Sequence, residues 1–119
     1  MNWIAISAIM LAFGVGAGAF GAHGLKDRLG EYLSTYETGV LYHLIHALGM
    51  LLVSVLEKTG TFGSLNRINW LLFIGIILFS GSLYALAITK IRIFGAITPI
   101  GGVAFILAWI LLAVKAFKV

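Results

Sequence analysis

Apolar residues in this chain fall into four long runs separated by short polar connectors. Each run is about as long as the ~20 apolar residues that a helix needs to cross a bilayer core. No Asp, Glu, Lys or Arg interrupts any of them. The pattern therefore predicts four membrane-spanning helices over residues 3–22, 39–56, 70–89 and 93–114.

Composition agrees with helical spans in a single domain. Apolar residues make up 61% of the 119 residues, charged residues make up 10%, and the mean hydropathy is +1.10. Soluble domains are about 45–50% apolar, and transmembrane strands alternate polar and apolar positions, which these runs do not. We therefore predict an all-α, integral membrane four-helix bundle that occupies residues 1–119 as one transmembrane domain.

The distribution of charge indicates which partners the chain can bind, and the absence of cysteine limits its covalent chemistry. The net charge is +4, but the Lys and Arg residues lie thinly over the ends of the spans, as headgroup anchors do. We expect membrane lipid as a partner and no nucleic acid. Cysteine is absent, which excludes disulfides.

Ala17-Gly18-Ala19 looks like a signal cleavage site, but the first span lacks a preceding Lys or Arg and is expected to be retained.

Four spans place the two termini and the 57–69 loop on one membrane face, here called the terminal face. The 23–38 and 90–92 loops share the other, the loop face. In the longer loop, apolar residues recur every three or four positions with charged residues between them. This spacing predicts a short amphipathic interfacial helix over about residues 25–36, weakened by Gly30. The recurring residues are Leu25, Leu29, Leu33 and Tyr36.

Polar residues inside the membrane are expected mainly near the loop face, while the half nearer the terminal face is largely hydrocarbon. Helical spacing also predicts one inward-facing stripe on the second span, formed by Gly39, Tyr42, His43, His46, Gly49 and Met50. A polar group in lipid is costly and needs a partner or a purpose. The candidates for a ligand site or polar cluster are His23, Glu37, Tyr42, His43, His46, Ser80, Ser82 and Tyr84.

Three interpretations of the histidines remain open. They can hydrogen-bond neighbouring groups and hold the helices in register, or line a site for a small ligand, lipid headgroup or proton. In the third, His23, His43 and His46 ligate a transition metal. A pair of histidines without a second such motif is a weak metal signal, so we predict no metal and no other cofactor.

Small residues in the first span predict close helix packing. Gly16, Gly18 and Gly21 match the dinucleotide fingerprint GxGxxG, but they lie in a membrane span with no preceding strand, so the match is discarded. Gly14 and Gly18 instead form GxxxG, and Ala17 repeats the spacing with Gly21. The expected partner surface is the third span at Gly81 and Ala85, the fourth at Ala104 and Ala108, or a second copy.

Pro99 is the only proline, and Gly101 and Gly102 follow it. We expect the fourth span to bend or to start irregularly there, because proline removes a backbone donor. The freed carbonyls need donors, for which Tyr42, Tyr84 or a histidine are candidates.

Three stretches resemble the family called domain of unknown function 423, or uncharacterised protein family 0382. They are GAFGAHGLK at Gly18 to Lys26, the constellation Glu37, Tyr42 and His46, and FSGSLYAL followed by FGAITPIGG through Gly102. The resemblance implies a multi-pass protein of the bacterial cytoplasmic membrane with four spans and no assigned activity. Family members often carry Gln in place of His43, which counts against a paired-histidine metal site.

Three functional hypotheses follow, led by a structural or accessory membrane protein. The second is a small transporter or channel subunit, with Glu37 and His46 as titrating groups. The third is a metal- or haem-binding membrane protein. No nucleophile, base and orienting group can be assembled from these residues, so we expect no enzyme and no catalytic residue. If the chain has a protein partner, we expect a further copy of the chain or another membrane protein.

Overall fold

A computed structural model describes all residues, 1–119, and every regular element is a helix or helical turn, with no strand. Two 3₁₀ turns, Gly30–Tyr32 and Arg92–Ala96, lie in the connections near the loop face. One π-turn, Ile76–Ser80, joins the two halves of the third span. The α-helices are α1 (Trp3–His23), α2 (Lys26–Leu29), α3 (Leu33–Lys58), α4 (Asn66–Gly75), α5 (Gly81–Thr89) and α6 (Thr98–Phe117).

Four helices are long and apolar enough to cross a membrane, which confirms the predicted fold class. The first span is α1 and the second is α3. The third runs continuously from α4 through the π-turn to α5, and the fourth is α6. The second helix begins at Leu33, six residues before the predicted span, because the polar residues 34–38 continue the helix without being apolar. Hydropathy locates the membrane core, and helices extend beyond it.

The segment predicted as an interfacial helix is divided. The helix α2 covers only Lys26–Leu29 and ends at Gly30, whose φ of 52° lies outside the helical region. A 3₁₀ turn follows, and residues 33–36 already belong to α3. Leu29 is 1% exposed and packs with Tyr36 and Ala87. The segment therefore closes the loop-face end of the bundle.

The second and third spans form the centre of the bundle. Their apolar windows are 44% and 39% buried, against 22% and 17% for the first and fourth spans. The first span packs along the second, and the fourth packs along the third. Most of the outward surface of the first and fourth spans is apolar, as a lipid-facing surface requires.

Contacts across the terminal face confirm the predicted grouping of the termini with the 57–69 loop. The Trp3 indole Nε1 donates to Asn66 Oδ1 at 2.7 Å, and Lys115 Nζ donates to the Ser64 carbonyl at 2.8 Å. Trp3 also packs edge-on against Trp70, with ring centroids 5.1 Å apart. The start of the first span and the end of the fourth are thus tied to the same loop.

Gly14, Gly18 and Gly21 face the second span, so the expected partner surfaces on the third span, the fourth span or a second copy were wrong. A side chain at Gly14 would meet His43 and Leu44, and one at Gly21 would meet the Tyr36 ring. Gly18 lies against Val40, while Gly16 of the discarded fingerprint has open space beside it. The spacing showed that a helix approaches closely, but many surfaces can accept such a flat face.

The predicted packing glycines of the third and fourth spans behave differently from one another. A side chain at Gly101 would collide with the Phe79 backbone, whereas one at Gly102 would reach only ordinary contact with the Phe79 ring. Gly81 has open space beside it, so its predicted packing role was wrong. Pro99 lies exposed in the first turn of α6, where its missing N–H has no helical partner to lose. It starts the helix after an irregular 3₁₀ turn, as one of the two expectations had it, without bending its interior.

Candidate functional site

His43 is the centre of the polar contacts between spans. Its Nε2 lies 2.8 Å from the Met10 carbonyl of the first span, and its Nδ1 lies 2.8 Å from the Tyr84 hydroxyl of the third. A carbonyl only accepts, so the proton is on Nε2, and Nδ1 accepts from the tyrosine hydroxyl. Gly14 leaves the space through which the imidazole reaches Met10. One neutral side chain thus joins three spans.

Two further side chains from the predicted cluster bind across spans. Ser80 Oγ donates to the Gly39 carbonyl at 2.7 Å, and Ser82 Oγ lies 2.5 Å from Thr98 Oγ1. Both serines are buried. These contacts link the third span to the second and the fourth, so the hydroxyls satisfy groups that would otherwise be unpaired in lipid.

Tyr36 belongs to the same network but was absent from the predicted cluster; it was predicted as a recurring position of the interfacial helix. Its hydroxyl donates to the Ala17 carbonyl at 2.5 Å, and its ring lies against Tyr84 with centroids 5.2 Å apart. Gly21 provides the space for that ring. The i, i+7 spacing of Tyr36 and His43 on one helix face was the available signal.

His46 packs among aromatic rings and has hydrogen-bond partners different from those of His43. Its ring stacks on Phe105 of the fourth span with centroids 3.6 Å apart, and the Trp109 ring of the same span lies 5.8 Å away. Its Nδ1 lies 2.9 Å from the Tyr42 carbonyl of its own helix, which assigns the proton to Nδ1. Tyr42 is 37% exposed and leans on Phe79. The other five members of the predicted stripe are buried, which confirms its inward orientation.

The structure separates Glu37 and His46, which the transport hypothesis would pair. Nine residues on an α-helix correspond to a half-turn offset and a rise of about 13 Å, so the two side chains lie on opposite faces of α3. Glu37 is exposed on the face toward the first span, while His46 contacts the fourth. His23 is exposed at the end of α1. The predicted cluster is therefore several separate groups.

A shared metal site is not assembled from the predicted residues. No group of three His, Cys, Asp or Glu side chains lies close enough to hold one ion. Both His43 nitrogens are already hydrogen-bonded, and the exposed His23 lies at the end of α1. The metal interpretation of His23, His43 and His46 therefore lacks a donor set.

A groove of about 470 Å³ opens between the first and second spans near the loop face. Lys26 and Glu37 bring opposite charges to it, and the other lining residues are small or apolar. Both charged side chains are exposed, and no salt bridge joins them. The remaining lining residues are Gly18, Gly21, Ala22, Leu33, Tyr36, Val40, Leu41 and Leu44.

Two features of the interior went unpredicted. The π-turn Ile76–Ser80 leads directly to the hydroxyl that binds Gly39, and such turns have no clear sequence signature. Nearer the terminal face, Asn69 Nδ2 donates to Ser54 Oγ at 3.1 Å, and the fully buried Asn69 Oδ1 has no partner. The half nearer the terminal face, expected to be largely hydrocarbon, thus contains a buried polar pair, and Ser54 lies within the predicted second span.

Residues 17–102 match the family described as "Protein of unknown function (DUF423)". The chain is 52% identical over 118 residues to UPF0382 membrane protein YwdK of Bacillus subtilis (strain 168), covering 98% of this chain and 96% of that protein. It is 48% identical to UPF0382 membrane protein SSP2132 of Staphylococcus saprophyticus, covering 98% of each. The chain belongs to the DUF423 family. No solved structure matches it.

The DUF423 match contains most of the contacts described above and confirms the resemblance seen in the sequence. Its range runs from Ala17, the acceptor for Tyr36, through Gly102 in the first turns of the fourth span. The groove and the π-turn lie wholly within it. The DUF423 relatives are named membrane proteins, in agreement with the four spans.

Proposed function

We propose that this DUF423 chain is an accessory protein of the bacterial cell membrane, with no catalytic activity and no solute or proton pathway of its own. The observation that carries the proposal is the use of His43. Both of its nitrogens are hydrogen-bonded between spans, as are the hydroxyls of Ser80 and Tyr84. Polar groups that hydrogen-bond between helices hold those helices in register.

The arrangement of the titratable side chains favours this function over transport. A proton relay needs groups within hydrogen-bond reach of one another, directly or through one water. Glu37 and His46 face opposite sides of the same helix, and the His46 ring is enclosed by Phe105 and Trp109. His43 is a neutral bridge, so the bundle offers no chain of exchangeable protons between the two faces.

The bacterial cell membrane is the expected location because relatives named membrane proteins occur in Bacillus and Staphylococcus. The spans also fit it in length. The longest helix has 26 residues and extends about 39 Å, which is more than the roughly 30 Å of a hydrocarbon core.

A flux measurement tests the absence of a pathway. The purified chain and its Glu37→Gln variant would be reconstituted in vesicles that hold a pH-sensitive dye, and an imposed pH gradient would be followed. We expect both proteins to leak protons at the rate of protein-free vesicles. Proton flux by the wild type that Glu37→Gln abolishes would overturn the proposal and establish a transporter.

A further inference from the structure

The groove between the first and second spans differs from the rest of the lipid-facing surface. A void of about 470 Å³ lies here beside two opposite charges, whereas most of the exposed surface of the spans is apolar. Lys26 belongs to the helix that follows the end of the first span, so its amine is at headgroup level. Glu37 lies one turn after the start of α3, the helix of the second span. Charge and shape together point to an amphiphilic occupant.

We propose that this groove binds one phospholipid with a phosphoethanolamine headgroup. Such a headgroup carries a phosphate anion and a primary ammonium group. The phosphate complements the Lys26 amine, and the ammonium can donate to the Glu37 carboxylate. An anionic headgroup that lacks an amine can pair its phosphate with Lys26, but it offers Glu37 at most a neutral hydroxyl donor, which bonds a carboxylate more weakly than an ammonium group does. A choline headgroup has no N–H to donate.

The walls of the groove suit the upper part of an acyl chain. Leu41 and Leu44 follow Glu37 along one face of α3 and line the groove. The seven residues from Glu37 to Leu44 rise about 10 Å, so the apolar wall descends from headgroup level toward the bilayer centre. The facing wall is built from Gly18 and Ala22, which are too small to fill the space. This role goes beyond the proposed accessory function and does not depend on it.

The test is a competition between two lipids, read by native mass spectrometry. The full chain would be reconstituted in bilayers with equal amounts of phosphatidylethanolamine and phosphatidylglycerol, then released in mild detergent. We expect one phosphatidylethanolamine per chain, retained about two- to fivefold over phosphatidylglycerol, the range expected for one exposed charge pair. Equal retention, preferential phosphatidylglycerol or a bare chain would overturn the proposal.

Variants locate the binding to the groove. Glu37→Gln should abolish the preference, and Glu37→Lys should reverse it toward phosphatidylglycerol. Glu31→Gln is the matched control, because Glu31 is exposed at the same face and does not line the groove. A preference that survives Glu37→Lys, or that disappears in Glu31→Gln, would contradict the assignment.

A filled groove provides a test that does not depend on charge. Ala22→Phe places a ring in the void from an exposed position of the first span. We expect it to lose the bound lipid while its melting temperature in detergent remains that of the wild type. Wild-type lipid retention by a folded Ala22→Phe variant would place the lipid elsewhere. If Glu37→Lys does not fold, this variant decides the outcome.

Discussion

The two faces of the second span show how one helix supports two kinds of surface. In the bundle interior, Gly39, His43 and His46 are buried, and their polar atoms or rings meet defined partners on the other spans. Toward the first span near the loop face, Glu37 and Leu41 are exposed beside a void. The two surfaces differ in whether their polar groups already have hydrogen-bond or stacking partners.

That difference separates structure from binding in this protein. A buried polar group whose hydrogen bonds are complete stabilises the fold and has no capacity left for a ligand. An exposed charge beside an unfilled apolar groove has that capacity. We call the buried side of the second span, with Gly39, His43 and His46, the closed face. Substitutions there should change stability, whereas substitutions in the groove should change only what is bound.

The largest effect on stability is expected at Gly101 of the fourth span, which lies against Phe79 of the third. Gly101→Val would drive a side chain into the Phe79 backbone, which cannot move aside as a flexible side chain can. We expect the free energy of unfolding, measured by titration with denaturing detergent, to fall by about 3 kcal/mol. Gly81→Ala is the control, because Gly81 has open space beside it and should lose nothing. Equal losses in both variants would contradict the close approach.

His43→Ala is expected to have the next largest effect. It removes the hydrogen bonds to Met10 and Tyr84, and the loss should be about 1–3 kcal/mol. His43→Gln should retain more stability, because its amide can donate to one partner and accept from the other. A double-mutant cycle with Tyr84→Phe should give a coupling of about 0.6–1.7 kcal/mol. Additive losses would show that the contact is not formed.

A smaller loss of stability is expected for Ser80→Ala. Ser80 ends the π-turn, and the substitution removes only its hydrogen bond to the Gly39 carbonyl. The expected decrease in unfolding free energy is about 0.6 kcal/mol. Ser34→Ala is the control, since Ser34 is exposed near the loop face. A decrease as large as that of His43→Ala would mean that the π-turn itself depends on this hydroxyl.

The smallest effect on stability is expected in the groove. Glu37→Gln should change the free energy of unfolding by less than about 0.5 kcal/mol, as surface substitutions usually do. The same variant should lose the lipid preference, so its effect appears in mass spectra and is absent from the unfolding titration. A destabilisation comparable to that of His43→Ala would assign Glu37 to the closed face.

The fold was largely predictable because span length and continuous apolarity are properties of the chain itself. Four runs without charge allow few other structures in a membrane. The helix ends were less predictable, since Leu33 to Thr38 form helix while lying at or beyond the membrane core. The π-turn depends on contacts between distant segments, and local sequence does not encode those contacts.

The site was less predictable because polarity identifies residues and not their partners. His43 and His46 look alike as a pair, yet one bridges three spans and the other stacks on Phe105. Glu37 was grouped with His46 by their shared half of the membrane, although their helical offset already placed them on opposite faces. The groove itself arises from two spans, so neither run of sequence shows it.

One pair of measurements on the same samples tests the separation of the two faces most directly. Lipid occupancy and the free energy of unfolding would be measured for His43→Gln, His43→Ala and Glu37→Gln. We predict that the His43 variants lose stability in graded steps and keep the preference for phosphatidylethanolamine while folded, and that Glu37→Gln keeps stability and loses the preference. A folded His43 variant without the preference, or a destabilised Glu37→Gln variant that keeps it, would contradict the account.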